Sequence, residues 1–230
     1  MTPIEALKKT AAEKAVEQVK DGMVLALGSG STVRYAIIKI GQLWQSGALT
    51  QIVGIPTSEH TAALAGQYDI PLGTLTKYPS IDLAIDGADE VDPQLNLIKG
   101  LGGALLREKM VELAAAYFIV VVDESKPVQK LGTKSPLPVE VVQFEWQFQA
   151  QGLAKLGCQP ILRGGEARPY VTDNGNYILD CTFPRGIDNP AELAATLHQR
   201  TGVVEHGLFL NMADEVIVAD TAGLRVMKPA

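Results

Sequence analysis

The stretch IDLAIDGADEVD, residues 81–92, joins an apolar run to a loop with four carboxylates within seven residues. A short apolar run bounded by polar residues is typical of a buried strand. The same succession of strand and polar loop occurs at MVLALGSGST (23–32) and at FIVVVDESK (118–126). Helical patterns separate these strands, which predicts a parallel sheet with helices on both faces. The three loops then lie along one rim of the sheet, where α/β proteins bind ligands.

The remainder of the first half continues this alternation. Apolar residues at helical spacing predict an N-terminal helix within residues 4–19. Further helices are predicted over 33–45, 59–69 and 103–117, and further short strands over 51–58 and 71–75.

The pattern changes after Lys134. Asn174-Gly175 between apolar runs is a strong hairpin signal, and the surrounding segments give a ferredoxin-like β-α-β-β-α-β order. These segments are 135–142, 144–157, 159–163, the two sides of 170–183, 190–200 and 203–209, which is one strand more than that order contains. EVIVAD and LRVMK near the end predict a hairpin that rejoins the first sheet. The predicted fold class is α/β: a parallel-sheet domain of residues 1–133 plus 210–230, and a smaller ferredoxin-like α+β domain of residues 134–209 inserted near the C-terminus.

Composition is that of an ordinary globular protein, with 47% hydrophobic and 20% charged residues over 230 positions. The net charge of −6 argues against a nucleic-acid partner. Every apolar run is much shorter than the about 20 residues of a membrane span, and the N-terminus lacks the apolar core of a secretory signal. Cys158 and Cys181 form no Cys-x-x-Cys pair. These observations predict a cytoplasmic protein with neither a nucleic-acid nor a membrane partner.

The loop GSGST (28–32) lies between a predicted strand and a predicted helix. Backbone amides and hydroxyls at a helix N-terminus form a natural cradle for an anion. Equally, Ser31 or Thr32 has the side chain of an ordinary helix cap. Nucleotide-binding motifs fit poorly, because no Walker lysine follows and Val33 replaces the third glycine of a dinucleotide motif. If the loop binds an anion, a single phosphate on a small molecule fits best.

The acidic loop DGADEVD (86–92) admits a metal site, a proton-transfer site or a solvated turn. Ala88 stands where a calcium-binding loop requires an oxygen ligand. His60, His198 and His206 show no ligand spacing with one another, so we predict no metal site. The spacing indicates that Asp86 and Asp89 leave one turn together, whereas Glu90 and Asp92 face water.

The segment KGLGGALLREK (99–109) combines a lysine, a glycine-rich loop and a helix that carries Glu108. On that helix a large apolar stripe (Leu106, Met110, Leu113, Tyr117) is predicted to face the sheet. Glu108 lies on the other side, among Ala104, Val111 and Ala115. It is therefore either a base with a tuned pKa or a plain exposed glutamate. Lys126, on the third loop, is by itself typical of a solvated lysine.

With these motifs, the chain resembles the ribose-5-phosphate isomerases of the A type. The similarity runs nearly end to end, and DGADE together with K-G-x-G-G-A-L-x-R-E-K is its most specific part. It implies a Rossmann-like α/β domain with a smaller α+β domain. It also implies interconversion of D-ribose 5-phosphate and D-ribulose 5-phosphate without metal or organic cofactor, in a homodimer or homotetramer.

The same resemblance implies the roles of individual residues. Glu108 matches the catalytic base, which moves a proton between C2 and C1 through a cis-enediolate. Asp86 is expected to assist ring opening and Asp89 to orient Lys99 or a sugar hydroxyl, while Lys99 and loop amides stabilise negative charge. Leu101 stands where glycine is common. The implied substrate-binding residues are Ser29, Gly30, Ser31, Thr32, Asp86, Gly87, Ala88, Asp89, Lys99, Gly100, Leu101, Gly102, Lys126 and Lys8.

Three other functions remain alternatives at this stage. A sugar-phosphate sensor needs the phosphate loop but not Glu108 with Lys99. An amino-sugar isomerase-deaminase is disfavoured by the two specific motifs. A purely structural protein explains none of the polar loops.

Overall fold

The computed structural model describes residues 2–229 and contains both predicted sheets, together with a third small one. Its strands are β1 (Val24–Leu27), β2 (Val53–Pro56), β3 (Leu83–Asp86), β4 (Glu90–Val91), β5 (Leu97–Ile98), β6 (Phe118–Asp123), β7 (Leu137–Val141), β8 (Gln159–Leu162), β9 (Tyr177–Thr182), β10 (Val203–His206), β11 (Leu208–Phe209), β12 (Glu215–Asp220) and β13 (Gly223–Met227). Its helices are α1 (Pro3–Val16), α2 (Val33–Gln45), α3 (Glu59–Gly66), α4 (Leu105–Glu112), α5 (Trp146–Ala154) and α6 (Pro190–His198).

The large sheet has six strands in the order β13-β12-β6-β3-β1-β2. All neighbours are parallel except β12 and β13, which form the predicted terminal hairpin. Every residue of β6 is buried, as expected for a central strand of a parallel sheet that is covered on both faces. The predicted α/β class is confirmed.

Helices α1 and α2 pack together and supply much of the core of this sheet. Helix α1 begins at a capping box, in which Thr2 and Glu5 satisfy each other's backbone N–H groups. Its buried face is made of the small residues Ala11, Ala12 and Ala15, which allow a close approach to the neighbouring elements. Helix α2 has the predicted bounds.

The second sheet is antiparallel, with the order β10-β7-β9-β8. Together with α5 and α6 it gives the predicted ferredoxin-like order. Its core contains the buried residues Leu137, Val139, Leu153, Leu179 and Leu197.

The chain divides into two compact units. The first runs to Ala88 and adds Arg107–Lys126 and the chain from Met212. The second contains Asp89–Leu106 and Pro127–Asn211. The predicted domain limits at residues 134 and 209 stay a prediction. Within residues 2–229, none of the helices has the length and apolar character needed to cross a membrane.

Four predicted elements differ in the structure. Residues 71–75 form only a single bridge, Gly54 to Leu72, because Pro71 has no amide to donate to a ladder. Residues 170–172 are not a strand, so the hairpin around Asn174-Gly175 is wrong and β9 pairs with β8 instead. The segment 203–209 splits at Gly207 into β10 and β11, which belong to different sheets. The predicted helix over 103–117 is shortened to α4.

The loop at 170–176 is organised by a buried carboxylate. Glu140 Oε1, on β7, accepts hydrogen bonds from Thr172 Oγ1 and Asn176 Nδ2, each at 2.9 Å. These bonds hold the chain in a compact turn, which replaces the predicted first strand of the hairpin.

The expectation that Glu90 and Asp92 face water is wrong, since both side chains are buried. Glu90 accepts three backbone hydrogen bonds, each of 2.6 Å, from Gly132, Lys134 and Ser135. Asp92 accepts from the backbone of Gln94 and from both nitrogens of Asn96. Glu90 therefore binds the amides of a distant loop, and Asp92 binds the amides of its own turn. These hydrogen bonds offset the free-energy cost of burying the two charges.

We expect Glu90→Gln to lower the free energy of unfolding by about 1.5–3 kcal/mol, because one amide nitrogen then faces a buried N–H donor. Urea denaturation measures this change. The matched control Glu166→Gln alters an exposed residue of the same unit and should stay within about 0.5 kcal/mol. Equal stability of the two variants would show that Glu90 does not anchor the 132–135 loop.

Candidate active site

The ends of β1 and β3 are joined directly at the rim of the large sheet. Gly28 N donates to Ile85 O at 3.1 Å, and Ser29 N donates to Asp86 Oδ1 at 3.0 Å. Gly87 N donates to the same carboxylate oxygen at 2.6 Å. The predicted GSGST and DGADEVD loops thus meet at the buried Asp86 carboxylate.

Two glycines of the GSGST loop are required by this arrangement. A Cβ at residue 28 would lie 2.2 Å from Cγ of Asp86, so any side chain there would displace the carboxylate. Gly30 has φ +123°, a conformation that residues with a side chain rarely adopt. The glycines therefore determine both the shape of the loop and the position of Asp86.

A cluster of hydroxyl groups supports the loop from β2 and α3. Ser29 Oγ is within hydrogen-bonding distance of Thr57 Oγ1 (2.8 Å), Ser58 Oγ (2.7 Å) and Thr61 Oγ1 (3.1 Å). Thr61 Oγ1 also donates to Gly28 O at 2.8 Å. Thr57, Ser58 and Thr61 were not predicted as site residues. Thr57 and Ser58 end the predicted strand 51–58 and Thr61 follows it shortly. This position was the available signal, since that strand ends at the same rim.

The capping interpretation of GSGST is not supported. Thr32 occupies the N-cap position of α2, but its side chain makes no capping hydrogen bond. Ser31 Oγ instead accepts a hydrogen bond from Lys8 Nζ at 2.9 Å. A cation, a hydroxyl and the N-terminus of a 13-residue helix therefore meet at one loop, which is the composition of an anion site.

Glu108 is buried, with 2% of its surface exposed, so the exposed-glutamate alternative is wrong. It lies in the first turn of α4. The predicted orientation of this helix is also wrong, because Met110 and Leu113 are 54% and 67% exposed whereas Val111 is buried. Lys109 and Glu112 of the same helix are buried too. A hydrophobic pattern places charged residues outside, and α4 departs from that rule by burying three of them.

Lys126 is half-buried and follows β6, whose neighbour β3 ends in Asp86. Because β3 and β6 are parallel, both residues belong to the carboxyl edge of the sheet. The predicted rim position of Lys126 is therefore correct, while its contact with substrate stays a prediction.

The second unit contains Asp89 and the 99–103 loop. Lys99 is buried, its N–H donates to Gly207 O at 2.9 Å, and its ammonium lies 5.3 Å from the ring centroid of Phe209. Asp89 N donates to Ile98 O, and Asp89 Oδ2 accepts from Leu101 N at 3.0 Å. The amide of Leu101 is therefore engaged within the loop, and Asp89 fixes the path of the loop.

Residues far along the chain hold the same loop. Arg163 Nη1 donates to the carbonyl oxygens of Gly100 and Leu101, both at 3.0 Å, and Arg163 Nε donates to Asp180 at 2.9 Å. Arg163 and Asp180 were not predicted as site residues, because no local pattern connects them to residues 99–103. The hydrogen bonds of Arg163 fix the backbone of residues 100 and 101, and with it the positions of the neighbouring loop amides.

Tyr170 closes against the last glycine of the loop. A Cβ at Gly103, which has φ +83°, would lie 2.2 Å from the Tyr170 hydroxyl. Burial is the main cause that raises the pKa of Tyr170, so its phenol stays protonated at neutral pH and keeps its O–H donor. Tyr170 was not predicted as a site residue either, since it begins the first strand of the predicted hairpin and carries no motif.

Comparison with known proteins is consistent with this geometry. The family model "Ribose 5-phosphate isomerase A (phosphoriboisomerase A)" matches residues 53–223. A probable ribose-5-phosphate isomerase 3, chloroplastic, from Arabidopsis thaliana is 55% identical, over 96% of this chain and 82% of that protein. Ribose-5-phosphate isomerase A from Synechococcus sp. (strain JA-3-3Ab) is 50% identical, over 99% of both chains.

A solved structure of a D-ribose-5-phosphate isomerase in complex with phospho-erythronic acid superposes with a TM-score of 0.95. It is 42% identical and covers 99% of this chain and 100% of that one. Sequence and fold agree over the whole length, and the chain belongs to the ribose 5-phosphate isomerase A family.

Proposed function

We propose that this protein interconverts D-ribose 5-phosphate and D-ribulose 5-phosphate, with Glu108 as the base that carries a proton between C2 and C1. The observation that supports this most strongly is the burial of Glu108 on α4, in a chain of this family. A buried carboxylate costs stability unless it is compensated, and groups buried in this way are frequently functional. A sugar-phosphate sensor has no need of such a base.

The reaction requires one carboxylate on one face of the sugar. Glu108 removes the proton from C2 of the open-chain aldose and returns it to C1, and a cis-enediolate lies between the two steps. Negative charge develops on the enediolate oxygens. We assign the ammonium of Lys99 and the amides of Gly100 and Gly102 to this charge, because the amides of Leu101 and Gly103 already donate to Asp89 and to Gly100 O. A preorganised donor of this kind is typically worth about 3–4 kcal/mol.

The aldose is largely cyclic, so its ring must open before a carbonyl exists. We assign the proton transfer of ring opening to Asp86. Two backbone amides fix one oxygen of its carboxylate, which orients the group. Asp89 has an indirect role, because its carboxylate accepts a hydrogen bond from the Leu101 amide and so fixes the conformation of the 99–103 loop.

The phosphate of the sugar is assigned to the 29–32 loop, with Lys8 and Lys126 as cations. The contact of Lys8 with Ser31 supports this role for Lys8. Phosphate binding supplies free energy that positions the distant reacting carbons.

The proposal includes a cytoplasmic location, which rests on composition and cysteine usage. It also includes a homodimer or homotetramer, which rests on the family resemblance. Size-exclusion chromatography with light scattering measures the assembly, and a monomeric mass would contradict it.

We expect Glu108→Gln to lower kcat by about 10²–10⁴-fold, because the amide cannot accept the C2 proton. A coupled assay with ribose 5-phosphate measures the loss. Glu112→Gln is the matched control, since this glutamate lies one turn further on the same helix and is also buried. A Glu108→Gln enzyme with near wild-type kcat, or an equal loss in the control, would remove Glu108 from the role of base.

Asp86→Asn should impair the isomerisation of ribose 5-phosphate more than the exchange of a C1 hydrogen of ribulose 5-phosphate with solvent. Ribulose 5-phosphate has no ring to open, so its exchange of a C1 hydrogen with deuterated water needs Glu108 but not the ring-opening acid. NMR spectroscopy follows the deuterium at C1 while the coupled assay follows isomerisation. Lys99→Met should slow both processes alike, because it removes a positive charge that stabilises the enediolate, and both processes pass through this intermediate. Equal losses of exchange and isomerisation in Asp86→Asn would contradict its ring-opening role.

Lys8→Met should lower kcat/KM for ribose 5-phosphate about tenfold or more, as expected for the loss of a charged hydrogen-bond donor worth about 1.5–3 kcal/mol. Inhibition by inorganic phosphate should weaken in parallel. Lys9→Met is the control, since the neighbouring lysine pairs with Glu13 along the same helix and should leave both constants unchanged. The assignment fails if phosphate inhibits the Lys8 variant as strongly as the wild type.

A further inference from the structure

Two histidines and a glutamate come together in the second unit. His198 is the last residue of α6, and Glu205 and His206 end β10. His198 Nε2 lies 3.2 Å from Glu205 Oε1, and His206 Nδ1 lies 3.9 Å from the same oxygen. The three candidate ligand atoms all lie within 4.8 Å of one another. The expectation that the histidines are unrelated as ligands is therefore wrong for this pair.

The carboxylate of Glu205 bends back toward the next residue of β10. Glu205 and His206 pair in regular succession with Glu140 and Val139 of β7, and the register shift of β10 lies before them, between Val203 and Glu205. Consecutive residues of a regular strand point to opposite faces. Glu205 Oε1 also accepts a hydrogen bond from His206 N at 2.8 Å, so the carboxylate folds back beside the imidazole.

The distances are close to those of a tetrahedral zinc site. Zinc binds imidazole nitrogen and carboxylate oxygen at about 2.0–2.2 Å, which places neighbouring ligand atoms about 3.3–3.5 Å apart. The separation between His198 and Glu205 already matches this value. The 3.9 Å between His206 Nδ1 and Glu205 Oε1 requires a shift of the Glu205 carboxylate of about half an ångström, because His206 is 1% exposed and Glu205 is 13% exposed. His198, whose side chain is 54% exposed, has room to follow.

The protonation of His206 also suits a metal. Leu208 N donates to His206 Nδ1 at 3.3 Å, so Nδ1 is the unprotonated nitrogen. This nitrogen is the one that lies near Glu205. A metal ion at Nδ1 takes the place of the 3.3 Å hydrogen bond from Leu208 N. The hydrogen bond from the backbone N–H of His206 to Glu205 Oε1 is kept and orients the carboxylate.

We propose that His198, Glu205 and His206 form a zinc-binding site. Two imidazoles and one carboxylate are a ligand set that zinc prefers, with water at the fourth position. Hard cations such as Mg²⁺ instead favour sites made of oxygen ligands. The proposal concerns metal binding alone and is independent of the isomerase reaction.

Equilibrium dialysis of the native, EDTA-stripped protein against buffered ZnCl₂ tests the site, with zinc counted by mass spectrometry. The wild type should bind one zinc per chain, and MgCl₂ should not compete. His198→Gln should weaken zinc binding at least tenfold. This substitution changes an exposed side chain, so it should leave the fold intact. His60→Gln, an exposed histidine of the first unit, is the matched control and should bind as the wild type does.

X-ray absorption at the zinc edge identifies the ligands, and nitrogen and oxygen neighbours near 2.0–2.1 Å are expected. The proposal is overturned if the wild type binds no zinc, or if His198→Gln binds it as tightly as the wild type. Sulfur neighbours near 2.3 Å would also overturn it, since they would place the metal on Cys158 and Cys181.

Discussion

Two neighbouring parallel strands, β1 and β3, end at one edge of the large sheet. The carboxylate of Asp86, the last residue of β3, lies against Gly28, the residue that follows β1. Gly28 has no side chain, and Asp86 occupies the volume that a Cβ would take. The amide of Ser29 then binds that carboxylate. The same 28–32 loop contacts the hydroxyls of Thr57, Ser58 and Thr61 through Ser29 and the ammonium of Lys8 through Ser31.

The buried carboxylates of this protein fall into two groups, one structural and one that we propose is catalytic. Glu90 and Glu140 are surrounded by donors from distant turns and stabilise the second unit. Glu108 lies in the first turn of a short helix whose exposed face is apolar. Burying a charge costs free energy in each case. For Glu90 and Glu140, hydrogen bonds from these turns offset the cost. For Glu108, we propose that the buried position serves catalysis.

The 99–103 loop shows that a sequence motif specifies only part of a local structure. Its glycines allow the backbone to turn, as Gly100 and Gly103 do with positive φ. The position of the turn depends on Arg163, which binds two of its carbonyl oxygens, and on Asp180, which holds Arg163. A loop held in this way keeps its amide donors in place before a ligand arrives, and preorganisation of that kind is the main source of electrostatic catalysis.

By itself, the sequence determined the succession of strands and helices, the two-sheet architecture and the loops at the rim, because hydrophobic periodicity and turn chemistry act over a few neighbouring residues. It also predicted Glu108, Asp86 and the GSGST loop through specific motifs. Only the tertiary structure decided which charged groups are buried, which face of α4 is exposed, and that His198 meets Glu205 and His206. These outcomes depend on contacts between elements that are distant in the chain, and no local pattern encodes them.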